Sequence, residues 1–117
     1  MEGTISVRVN GKRYAVPYEE IIYMEKNLRR IRICTKKGDI LFYGKYCDVM
    51  PLLDERFCNC HRSYVFNMDE IRYLSEEAIL MSNDDTFRFG NKCYQRLKRA
   101  YEKYISEPER KIGRAHV

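Results

Sequence analysis

The strongest constraint on this chain is its tight-turn signals, set between runs of alternating apolar and polar residues. Ile5, Val7 and Val9 alternate with Ser6 and Arg8, Asn10-Gly11 follows, and Lys12 to Val16 resumes. An Asn-Gly pair accepts positive φ at both central positions, which a two-residue hairpin between right-twisted strands requires. A second hairpin signal follows. Arg30 to Thr35 alternates, with Ile31 and Ile33 directed inward and Arg30 and Arg32 outward. Lys36-Lys37-Gly38-Asp39 then turns the chain and Ile40 to Tyr43 returns.

Between these hairpins, Pro17-Tyr18-Glu19-Glu20 reads as one helical turn, since proline loses little at a first-turn position. Ile21 to Glu25 is a compact apolar strand, and Lys26-Asn27-Leu28-Arg29 a tight basic loop. Residues 45–53 read as a short helix with Asp48 as N-cap and Pro51 in the first turn. Further strands are expected at Ile71 to Leu74, Ile79 to Met81 and Phe87 to Phe89, and two short strand-like pieces, carrying Phe57 and Tyr64 with Phe66, flank a polar bend in residues 57–67. A long helix closes the series, Lys92 to Ile105. Cys93, Tyr94, Leu97, Ala100, Tyr101, Tyr104 and Ile105 form its apolar face, and Lys92, Arg96, Arg99 and Lys103 a basic one. Residues 106–117 lack periodicity and read as a frayed tail, part of it compatible with an expression remnant. The expectation is a mainly β domain over residues 1–105, with small antiparallel sheets, short helices and a C-terminal helix.

Charge is segregated along the chain. Residues 26–37 carry Lys26, Arg29, Arg30, Arg32, Lys36 and Lys37 without an acid, and residues 88–103 are basic apart from Glu102. Acidic residues gather between the two blocks, so their approach in space would create a surface suited to phosphates. The five cysteines, an odd number with no secretory signal ahead of them, point to free thiols in a reducing cytoplasm. No apolar run is long enough for a transmembrane helix, so no membrane partner is expected.

The densest chemistry lies in residues 57–67, where Cys60, His61, Arg62 and Ser63 stand between apolar flanks. Such a polar bend either ties loops together or presents side chains to a partner. Cys58, Cys60 and His61 lack the second knuckle that zinc needs, so no metal or other cofactor is expected. No catalytic constellation or phosphate loop is written in the chain, so no catalytic residue is assigned and an enzyme is not expected. Arg29, Arg62 and Asn91-Lys92 are suitable types for reading base edges, and no helix-turn-helix is evident to do so instead. A protein-interaction or thiol-redox-sensing module with a basic surface, or an RNA binder, remains as an alternative.

Four segments carry a family likeness. They are Ile21-Ile22-Tyr23-Met24-Glu25, the whole of residues 57–67, Ile71-Arg72-Tyr73-Leu74, and the stretch from Phe87 through Phe89-Gly90-Asn91-Lys92 to Lys98. Together they resemble the LytTR family, the DNA-binding output domains of bacterial two-component response regulators. The resemblance spans roughly residues 5–105. It implies stacked small sheets in an elongated β-β-β arrangement, with loops entering successive major grooves of bent DNA. Double-stranded DNA with paired direct repeats is the implied partner, bound by two copies of a domain that is monomeric alone. A receiver domain in a longer chain is implied as well. Base-contacting positions carry over to Arg29 in the first basic loop, Arg62 after the signature His61, and Lys92 at the last helix start. Gly90-Asn91 stands where members often have Ser-Arg. Lys26, Asn27, Arg30, Arg32, Lys36, His61, Ser63, Asn91 and Arg96 take supporting or phosphate-contacting roles in this reading.

Overall fold

A computed structural model describes residues 3–106. Ten strands are arranged as a hairpin of β1 (Thr4–Val9) and β2 (Lys12–Pro17), a central five-stranded sheet, and a three-stranded sheet. The central sheet runs β5 (Gly38–Tyr43), β4 (Arg30–Thr35), β3 (Ile21–Asn27), β7 (Tyr64–Asn67), β6 (Phe57–His61). The third sheet runs β10 (Thr86–Phe87), β9 (Ile79–Met81), β8 (Ile71–Leu74). Every strand pair is antiparallel. The domain is elongated, 42 × 32 × 24 Å.

The central sheet is covered on both faces, which explains why β3, its middle strand, is apolar and buried from Ile21 through Met24 rather than alternating. One face meets the β1–β2 hairpin and a short helix α1 (Tyr46–Val49), joining Ile5, Val7 and Val16 to Ile21, Met24, Ile31, Ile33 and Val65. The other meets the three-stranded sheet and helix α2 (Asn91–Ser106), joining Ile22, Tyr23 and Phe66 to Met81, Cys93, Leu97 and Tyr104. A bulge between Ile21 and Tyr23 turns the consecutive Ile22 and Tyr23 toward the same side. Each fully buried side chain in these layers contributes about 1.5–3 kcal/mol.

Asn67 joins the layers. Fully buried, its Nδ2 donates to the carbonyls of Ile21 at 2.7 Å and Tyr18 at 3.3 Å. Its Oδ1 accepts from the Asp69 N–H at 2.9 Å, opening the 3-10 turn Met68–Glu70.

Three local expectations are corrected. The basic loop shrinks to Leu28-Arg29, because pairing with β4 extends β3 through Lys26 and Asn27. Asp48 is not an N-cap. The helix starts three residues earlier, with Lys45 as N-cap and Tyr46 first, where the buried ring and its hydroxyl bond to Ser63 O hold the first turn, and Pro51 falls in the following 3-10 turn. The last strand ends at Phe87, since Phe89 leaves the sheet to stack on His61 with ring centroids 4.6 Å apart. The expected tail lies outside the described residues except for Ser106, which closes α2.

Candidate nucleic-acid interface

Strand direction brings the three separated basic segments to one end of the central sheet. β3 runs outward to the Leu28-Arg29 turn, and the antiparallel β6–β7 hairpin turns at Arg62-Ser63 on the same end. Helix α2 lies along β6 with Cys93 against Cys60 at its start, while Ala100 and Tyr104 reach Phe57 and Cys58 at the opposite end. The helix start, with Asn91 and Lys92, therefore sits beside the His61-Arg62 end of β6.

Backbone contacts lock the two turns together. The Ser63 carbonyl accepts from the Lys26 N–H at 2.8 Å and from the Tyr46 hydroxyl at 3.0 Å. The Arg29 carbonyl accepts from the Gly44 N–H at 2.9 Å. A Cβ on Gly44 would meet the Phe42 ring at 3.1 Å, so a side chain there would disturb this anchor. Arg29 and Arg62 line one groove with Lys26, Lys45 and Asn59, and Asp48 is its acidic lining residue. Both arginines and Lys92 are exposed, and none of the three forms an ion pair among the described residues.

His61 turns one ring nitrogen back onto its own bend. Its Nδ1 accepts from the Ser63 N–H at 3.0 Å and its ring rests on Phe89. Asn59 donates from Nδ2 to the His61 carbonyl at 2.7 Å and the Tyr64 carbonyl at 2.8 Å. The Arg62 turn is thus braced by hydrogen bonds to the His61 and Asn59 side chains. Tyr46, Gly44 and Asn59 carry this positioning, yet their sequence context offers no signal of it. Their partners lie on other elements or are backbone atoms.

The other residues assigned to DNA contact divide between the two faces and the two ends of the sheet. Arg30 and Arg32 project from the sheet face opposite to Lys26, because Lys26 pairs with the inward Ile31 while Asn27 pairs with Arg30. Arg32 donates to Glu25 at 2.6 Å and Asp39 at 3.1 Å, with its guanidinium 5.5 Å over the Tyr23 ring. Burial disfavours charge on this guanidinium, but its acceptors outweigh that and raise its pKa. Arg32 in turn holds the Glu25 carboxyl below its ordinary range against burial, with help from the Tyr64 hydroxyl. Lys36 lies at the far end of β4 from Arg29 and pairs with Glu70 at 3.1 Å. Arg96 is exposed on α2 and Asn27 is exposed at the tip of β3.

All five cysteines are free. Cys60 and Cys93 lie with sulfurs 2.9 Å apart. The Cys60 thiol is raised by its hydrogen bond to Cys58 and by burial, and that of Cys93 by burial. The Cys58 thiol is lowered through its bond to Cys60. Among the described residues no group of His, Cys, Asp or Glu is arranged to hold a metal, and no helix is long and apolar enough to cross a membrane.

Residues 11–102 match the family described as the LytTr DNA-binding domain. Accessory gene regulator protein A of Staphylococcus epidermidis is 29% identical over 98 residues, 81% of this chain and 39% of that protein. Accessory gene regulator A of Staphylococcus aureus is 27% identical over 103 residues, 86% of this chain and 41% of that protein. The chain thus spans about two fifths of the length of these curated relatives. A solved LytTr DNA-binding domain from Bacillus cereus superposes with a TM-score of 0.72, covering 86% of this chain and 97% of that one. At 14% identity that match speaks to the fold alone.

Proposed function

Because the chain belongs to the LytTR DNA-binding domain family, we propose that it binds double-stranded DNA sequence-specifically to regulate transcription. Its readers are the Leu28-Arg29 turn, the Arg62-Ser63 turn and the start of α2. Arg29 and Arg62 donate in pairs to guanine O6 and N7, and Lys92 donates to base-edge acceptors in a neighbouring groove. The observation that carries this reading is the gathering of these cations at one end of the central sheet, exposed and without ion pairs among the described residues. In this proposal the reading elements, side by side at one end of the sheet, enter successive major grooves on one side of a bent site. Two copies on paired direct repeats, and a receiver domain elsewhere in a longer protein, complete the proposal.

Within it, Lys26, Arg30, Asn27, Asn91 and Arg96 supply phosphate or supporting contacts around the reading turns. His61 and Ser63 support the turn that carries Arg62. Arg32 and Lys36 receive no DNA contact, since their charges are engaged by Glu25, Asp39 and Glu70.

Selection from a random duplex pool, followed by sequencing, tests the proposal. A motif recurring at about one helical turn is expected. Equal recovery of all sequences, or displacement of DNA by RNA competitor at equal concentration, would overturn it.

A further inference from the structure

Leu28 is the most exposed of the large apolar residues described, at 86%, and it occupies the first central position of the β3–β4 turn with φ +59°. That position ordinarily takes Gly or Asn, because a Cβ in the left-handed region crowds the following carbonyl. Here a leucine bears that cost and gains no packing within the domain. Its neighbours explain what it faces. Leu28, Arg29 and Tyr43 line the outer-face groove with Arg30, and the same three line the end groove with Lys26 and Arg62. An apolar side chain therefore stands on the ridge between two cation-lined grooves, next to the arginine placed to read guanine.

We propose that Leu28 is a specificity-determining residue that packs on the C5-methyl group of a thymine adjacent to the base pair read by Arg29. This inference rests on the DNA-binding reading above and extends it to one base position. A two-stranded ribbon fits the major groove, where the thymine methyl is the largest apolar group on any base edge. The polar ring of cations fixes the ribbon against phosphates, so the apolar tip meets the bases.

The test replaces each thymine of the selected duplex, one at a time, by uracil, which keeps every hydrogen bond and lacks the methyl. Against the wild-type domain, one replacement beside the Arg29 base pair is expected to weaken binding about fourfold, the effect of one methyl-sized burial. Against Leu28→Gly the same replacement is expected to have no effect. Leu28→Asn serves as a second variant, since both residues accept the turn's positive φ, and thermal unfolding at or above wild type shows the fold intact. Indifference of the wild type to every uracil duplex overturns the inference, as does sensitivity that persists in both variants. A uniform loss of affinity by Leu28→Gly for all duplexes, random ones included, also overturns it by making Leu28 a sequence-blind wedge. Failure of the wild type to bind any duplex instead refutes the DNA-binding reading itself.

Discussion

Truncating Arg32 to alanine separates a fold-holding charge from a DNA-contacting one. The side chain donates from Nε and Nη2 to Glu25 Oε1 at 3.1 and 2.6 Å, from Nη1 to Asp39 at 3.1 Å, and from Nη2 to the Tyr23 hydroxyl at 3.3 Å. The Arg32 and Glu25 side chains are about one third exposed, so solvent screens the pairs and each contributes only about 0.2–1 kcal/mol. The stacked Tyr23 ring adds about 0.5–1 kcal/mol. Arg32→Ala should therefore lower stability by roughly 1–3 kcal/mol at neutral pH. The effect should depend on pH in a defined direction. Glu25 has a folded pKa below its ordinary 4.5, chiefly through Arg32, so its ionised form stabilises the fold above that value. This contribution disappears as the pH falls through the depressed folded value. The gap between wild type and Arg32→Ala should narrow accordingly on acidification. Urea unfolding followed by tyrosine emission and circular dichroism measures it, and the salt dependence of duplex binding is measured alongside. A gap that is absent, or constant through the acid range, refutes the reasoning. So does unchanged stability accompanied by a salt slope reduced by about one, which would make Arg32 a phosphate contact.

Other perturbations probe the remaining assignments. Arg62→Ala should cost about 1–3 kcal/mol on the selected site and relax preference at one base pair, measured by repeating the selection; an unchanged motif counts against its role. Lys26→Ala should weaken binding to all duplexes alike and reduce the salt slope by about one, while Lys36→Ala at the far end of the sheet leaves the slope unchanged in the same titration. Asn67→Ala strands the Ile21 carbonyl and the Asp69 N–H in the interior and should cost about 2–4 kcal/mol in urea unfolding; a loss under half that would show that water replaces the amide.

Local pattern carried much of the fold. The Asn10-Gly11 hairpin forms with both turn residues at positive φ, and the Arg30 to Tyr43 hairpin pairs in the expected alternation. Helix α2 buries Cys93, Leu97 and Tyr104 as its spacing implied. Errors fell at element ends, where a tertiary contact decides the boundary. Phe89 left a strand for the His61 ring, and Tyr46 started a helix early because Ser63 O was within reach.

The candidate site divides along the same line. Residue chemistry and family motif single out Arg29, Arg62 and Lys92 from the chain itself, because cationic side chains on turns and at a helix start are local features. Which cations remain available was decided only in three dimensions. Glu25 neutralises Arg32 through the β3–β4 register, and Glu70 reaches Lys36 from the 3-10 turn that follows β7. A charge is spent or left free by whatever the fold sets a few ångströms away. Periodicity records which face a residue takes, but not which distant strand supplies its neighbour.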